Sequence, residues 1–211
     1  MKKDFLFPYD LELKEVDAII KLARTMRESR FSDKFSNLLK GKTFLMLFFN
    51  SSLRTRISFE AAMTELGGHA QFLEPTKLRL RGGRFIESVE DVAEVMSRYA
   101  GGVGIRIHDE NVSFFGEGQE FIKDFAKKTS VPVINMGSDF CHPCQGLADL
   151  MGLKDHFDDQ LKGKKILVTW AKGVLARSRY SVQEILMISA RAGLDITLAY
   201  PEGYELDSNV I

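Results

Sequence analysis

Cysteine is scarce in this chain: Cys141 and Cys144 are the only two among 211 residues, and both fall in one Cys-His-Pro-Cys run. Such a pair admits a thiol–disulfide site, because a helix N-terminus lowers a thiol pKa, or half of a zinc site. For zinc no second pair exists, and His69, His108 and His156 are scattered. Neither sign of charge prevails, with 29 Lys and Arg against 29 Asp and Glu, and no Lys/Arg-rich arm stands out, so nucleic acid is not an expected partner. No apolar run approaches the ~20 residues of a membrane span. The opening Met1-Lys2-Lys3-Asp4-Phe5 lacks the apolar core of a secretory signal, which makes a cytoplasmic location the expectation. There is no internal repeat and no low-complexity tract.

At 45% hydrophobic and 27% charged residues, the chain can bury a normal core, and its length suits one or two domains. The most telling stretch begins with an almost wholly apolar run at 43–49, as expected of a strand covered on both faces of a parallel sheet. Asn50, Ser51 and Ser52 follow, all favourable N-cap residues, and an amphipathic helix is predicted over 52–66 until Gly67-Gly68 ends it. A helix start presents unpaired N–H groups and a partial positive charge, and Arg54, Arg56 and the neighbouring hydroxyls add charge-assisted donors. The turn reads either as a phosphate site or as an ordinary capped helix with solvated arginines.

Leu13, Val16, Ile20 and Ala23 recur at helical spacing and predict a helix over about residues 10–29. Strand and helix signals then alternate: a strand at 70–73, a capping box at Ser88-Val89-Glu90-Asp91 opening a helix to Tyr99, a strand at 103–107, a helix at 118–128 and a strand at 131–135. Beyond these come a helix at 145–157, a strand at 165–170, a helix at 180–192 and a strand at 196–200. This rhythm predicts an α/β fold of two doubly wound parallel-sheet domains, with ligands at the carboxyl ends of the strands. The first domain is expected over 1–145, a linker helix over 146–162, and the start of a second domain over 163–211. Two strands and one helix cannot bury their faces alone, so an uncovered apolar stripe is expected through Ile185, Ile188 and Ala192.

Ser52-Leu53-Arg54-Thr55-Arg56 resembles the Ser-Thr-Arg-Thr-Arg carbamoyl-phosphate signature of the aspartate and ornithine carbamoyltransferases. The similarity continues through Ser58-Phe59-Glu60-Ala61-Ala62, Glu65-Leu66-Gly67-Gly68-His69, Glu87-Ser88-Val89-Glu90-Asp91-Val92-Ala93 and His142-Pro143-Cys144-Gln145-Gly146-Leu147-Ala148-Asp149. The resemblance implies an enzyme that needs no cofactor and no metal. It implies that Ser52, Leu53 (through its backbone N–H), Arg54 and Thr55 hold phosphate, with Arg56 in structural pairing. It assigns Arg106, His142 and Thr55 to the carbamoyl carbonyl and Gln145 to the carbamoyl NH₂, and leaves both thiols incidental. Lys77, Arg79, Arg81 and Arg84 lie in a basic loop that reaches a neighbouring subunit's site in the family, where Arg79 matches a phosphate-touching position.

Leu53 replaces the usual Thr, and Thr169-Trp170-Ala171-Lys172 replaces the Gly-rich acceptor turn of ornithine enzymes. Both departures resemble the N-acylornithine branch, with Trp170 as the acceptor-side candidate. The resemblance thus implies transfer of a carbamoyl group to the side-chain amine of ornithine or an N-acylated ornithine, in arginine metabolism, by a homotrimer. An aspartate-type or uncharacterised transferase, or a non-catalytic carbamoyl-phosphate-binding module, stands as the alternative. Members of the family are longer, and their acceptor loop and final helix are not found before Ile211, so this span alone is expected to be inactive.

Overall fold

The computed structural model describes residues 2–75, 80–81, 84–85, 87–108, 111–171, 179–208 and 210–211. Helix α1 (Leu13–Glu28) is followed by β1 (Thr43–Phe48), α2 (Leu53–Glu65) and β2 (His69–Leu73). The two-residue strands β3 (Leu80–Arg81) and β4 (Arg84–Phe85) pair antiparallel, and α3 (Val89–Tyr99) and β5 (Gly102–Ile107) come next. Then follow α4 (Glu117–Lys128), β6 (Val133–Ser138), α5 (Pro143–His156), β7 (Lys165–Thr169), α6 (Tyr180–Arg191) and β8 (Asp195–Ala199).

The apolar run of β1 is central because both of its faces are used. The parallel sheet has the order β2-β1-β5-β6, with Met46 opposite Phe72 on one side and Gly104 on the other. Phe44, Met46 and Phe48 pack with Phe59 and Met63 of α2, while Leu45 and Leu47 pack with α3 and α4 through Ala93, Met96, Ile122 and Phe125. Alternation along one strand thus fills two core layers and puts helices on both faces, the doubly wound α/β arrangement. The order of this sheet switches at β1, between β2 on one side and β5 on the other, which opens a crevice at the carboxyl ends of β1 and β5.

Two of the boundaries that differ from the sequence reading bear on the site. β6 runs over Val133–Ser138, not 131–135. Pro132 has no N–H to give a ladder, although its carbonyl accepts from Val103 N at 2.9 Å, and a register shift between Ile105 and Ile107 carries the pairing on to Ser138. α5 begins at Pro143 with His142 as its N-cap. Proline suits a first helical position, but a histidine cap carries no strong sequence signal.

The expected uncovered stripe on α6 is not there. Ile188 is buried, and with Ile185 and Ala192 it packs into a cluster formed by Leu11, Val16 and Ile20 of the N-terminal segment and Leu150 of α5. The reason is long range: α1 covers α6 from the far end of the chain, and Arg191 donates to the carbonyls of Pro8 (2.6 Å) and Leu11. The parallel pair β7–β8 turns Ile166 and Ile196 into the same cluster and leaves Lys165, Leu167 and Thr169 exposed on its other face.

Candidate active site

Ser52 caps α2 in the expected way, its Oγ accepting from Thr55 N at 3.3 Å. Asn50 is buried, and its Oδ1 accepts from His108 N at 2.8 Å, which ties the carboxyl ends of β1 and β5 together. The two arginines of the α2 start behave differently. Arg56 donates to Glu60 at 2.9 Å and lies 3.9 Å over the Phe72 ring. Arg54 is exposed and has no hydrogen bond or ion pair among the described residues. Leu53 is 72% exposed, so its side chain holds nothing in place and its N–H is the useful group.

Arg106 stands opposite Phe48 near the end of β5 and is only 5% exposed. Its Nη1 donates to Met136 O at 3.0 Å and its Nη2 to the Tyr180 hydroxyl at 3.1 Å, while Nε is buried without a partner among the described residues. Gly137, at φ +122°, makes room for it: a Cβ there would lie 2.6 Å from Arg106 Nη1 and 3.3 Å from His142 Cδ2. The guanidinium and the His142 imidazole therefore flank one glycine.

Burial, with Arg106 close by, pushes both His142 and His108 down to about 4, so both rings are neutral near pH 7. His142 Nδ1 accepts from Gln145 N at 3.4 Å, which places the ring proton on Nε2 as a donor. Gln145 is exposed and its Nε2 donates to Asp149 at 2.8 Å, leaving its Oε1 as an acceptor. The His142 N–H donates to Glu184 Oε2 at 2.9 Å. Burial pushes the Glu184 carboxyl up to about 8, and Asp149 adds to the rise.

The crevice thus joins Arg106 and His142, and β1 leads straight from Arg106's partner Phe48 to Ser52, Leu53, Arg54 and Thr55. Trp170 is not brought to this group by any described contact; it packs edge-on against Tyr204 at 5.4 Å. Arg79 lies outside the described residues, as do Lys77 and Lys172. Both cysteine thiols are pushed up by burial, that of Cys144 to about 12, and Cys141 Sγ sits 3.4 Å from Gln119 Oε1. Thiols held protonated in this way are poor nucleophiles, which weighs against the redox reading.

Sequence reasoning missed Tyr180, Glu184, His108 and Asn50. Tyr180 faces Arg106, with ring centroids 4.9 Å from His108 and 5.9 Å from His142. Gln183 and Glu184 interrupt an otherwise apolar helix face and are fully buried, a pattern that marks paired polar groups once the face is known to be inward.

Residues 3–155 match the carbamoyl-phosphate binding domain of aspartate/ornithine carbamoyltransferase. The chain is 37% identical over 209 residues to the ornithine carbamoyltransferase of Pyrococcus abyssi, an alignment covering 99% of this chain and 60% of that protein. It is 35% identical over 221 residues to the N-acetylornithine carbamoyltransferase of Xylella fastidiosa, covering 99% and 64%. Among solved structures, an acetylornithine transcarbamylase complexed with acetylcitrulline superposes at a TM-score of 0.85 and 34% identity over 99% of this chain and 64% of that one. The ornithine carbamoyltransferase of Pyrococcus furiosus gives 0.82 and 36%, over 99% and 60%. The chain spans about 60% of the length of the curated ornithine carbamoyltransferases it matches.

Proposed function

The chain belongs to the aspartate/ornithine carbamoyltransferase family, and from that membership we propose that its crevice is the carbamoyl-phosphate half of a carbamoyltransferase site. The observation that carries the reading is Arg54, left without a partner among the described residues on a Ser52-capped helix start beside the end of the strand that bears Arg106. Ser52, Thr55, the Leu53 N–H and Arg54 bind the phosphate oxygens, joined by Arg79. Arg106, the His142 Nε2–H and Thr55 polarise the carbamoyl oxygen, and Gln145 Oε1, turned outward by Asp149, accepts from the carbamoyl NH₂.

The amine's lone pair attacks the carbamoyl carbon, the carbon–oxygen bond to phosphate breaks, and the departing phosphate takes the proton that the amine loses. What the protein supplies is orientation and donors fixed where charge develops on the carbonyl oxygen. Because the imidazole and the Glu184 carboxyl that accepts from its backbone N–H both avoid charge near pH 7, the guanidinium groups dominate the local field. The acceptor is the side-chain amine of ornithine or an N-acylated ornithine, a reading supported by the two kinds of relative, and Trp170 is assigned to its side. The working unit is a cytoplasmic homotrimer in which the 77–84 loop completes a neighbour's site.

Titration calorimetry with phosphonoacetamide, a non-hydrolysable analogue, tests the phosphate assignment. Arg54→Ala should weaken binding by about 1.5–3 kcal/mol, the range for a hydrogen bond to a charged group. Arg56→Ala should change it little, since Glu60 and Phe72 already occupy that side chain. Equal affinity in wild type and Arg54→Ala would remove the assignment.

A further inference from the structure

We propose that Tyr180 is a further carbamoyl-phosphate-binding residue, its phenol O–H donating to the carbamoyl oxygen that Arg106 and His142 also address; this rests on the reading of the crevice as a carbamoyl-phosphate site. Tyr180 opens α6, on the side of the second sheet, yet its hydroxyl lies 3.1 Å from Arg106 Nη2 and its ring stands against both His108 and His142. It is thus carried by an acceptor-side helix into the donor half of the site.

The hydrogen inventory decides what the phenol does there. A guanidinium has five N–H donors. Arg106 uses two of them, on Met136 O and on the Tyr180 oxygen. The bond to Tyr180 consumes a lone pair of the phenol, and its own O–H has no acceptor among the described residues. The Arg106 Nε–H is buried without an acceptor as well. His142 adds an Nε2–H, because its Nδ1 is the atom that accepts from Gln145 N.

Unused donors therefore sit on three neighbouring side chains, and the group that would satisfy them is an oxygen with partial negative charge. Arg106 keeps enough N–H groups to bind that oxygen without releasing Tyr180, so the phenol is retained in the complex as a ligand contact and is not a plug that must leave. Three donors from β5, α5 and α6 around one carbonyl oxygen make a preorganised site for the charge that builds there during attack. α6 thereby links acceptor-side structure to the electrophile.

Tyr180→Phe keeps the ring and its contacts and removes only the hydroxyl. In the chain as it stands, calorimetry should show phosphonoacetamide binding weakened about tenfold, the size of one neutral hydrogen bond at the upper end of its range. Binding of inorganic phosphate, which has no carbonyl, should stay within about twofold of wild type, a change of under half a kcal/mol. Addition of phosphonoacetamide should also perturb the tyrosine absorption band in wild type and not in the variant. Unchanged or tighter binding of the analogue, or equal weakening toward both ligands, would overturn the contact. A wild-type chain that binds neither ligand overturns the site reading together with this proposal. Loss in Arg54→Ala with none in Tyr180→Phe overturns this proposal alone.

Discussion

Glu184 is wholly buried, with one carboxyl oxygen accepting from the His142 N–H and the other without a partner among the described residues. Its pKa is raised from an ordinary 4.5 to about 8, so the folded protein holds a proton that the unfolded chain gives up. The stability this provides is fully present below pH 4.5 and is lost as pH climbs to about 8. His142 and His108 act oppositely: lowered from 6.5 to about 4, they leave stability intact above pH 6.5 and erode it as pH falls toward 4. Glu184→Gln mimics the neutral carboxyl and should remove only the alkaline limb. Thermal unfolding is expected to match wild type near pH 4 and to lie several degrees higher near pH 8.5, the gap growing by up to about 1.4 kcal/mol per pH unit between 4.5 and about 8. Equal loss at both pH values would show that Glu184 is ionised in the fold.

At the scale of elements, the site depends on how helix starts and glycines admit neighbouring side chains. α5 carries two glycines with opposite surroundings. A Cβ on Gly146 would meet Glu184 Oε1 at 2.3 Å, whereas a Cβ on Gly152 would meet nothing within 4 Å. Gly146→Ala must therefore displace the buried Glu184 carboxyl, which accepts from the His142 N–H, at a cost of about 1–3 kcal/mol. Gly152→Ala gains helix propensity without a clash and should stabilise by up to about 1 kcal/mol. Urea titrations of the two variants should bracket the wild type; two shifts of the same sign would mean that the α5–α6 contact is loose.

The whole molecule is held by its ends as much as by its sheet. Phe5 extends the edge of β6, with its N donating to Val133 O and its O accepting from Asn135 N, both at 2.9 Å. α1 closes the cluster over α5 and α6, and Arg24 and Arg27 pair with Asp155 at its exposed rim. Beside the phosphate turn, however, Leu53 and Ile57 lie one turn apart on α2 and are 72% and 54% exposed. An exposed apolar pair on a helix start suits burial by another copy of the chain. Sedimentation velocity should return a trimer mass, and Ile57→Asp should shift it toward monomer. A monomer in wild type would sink the trimeric unit.

Strands and helices were legible because the signals that specify them are local: apolar runs for β1 and β5, caps at Ser52 and Ser88, and glycines at the turns. The capped α2 start was legible for the same reason, since Ser52 and the Thr55 N–H it caps lie three residues apart. Tertiary structure alone decided the rest. It separated Arg54 from Arg56, because only the second meets Phe72 of β2. It covered the α6 stripe with α1, a partner more than 150 residues away in sequence. It carried Tyr180 and Glu184 to Arg106 and His142, across separations of 74 and 42 residues. Periodicity and capping report only on neighbours in the chain, whereas burial, orphaned donors and shifted ionisation arise where distant segments exclude water together.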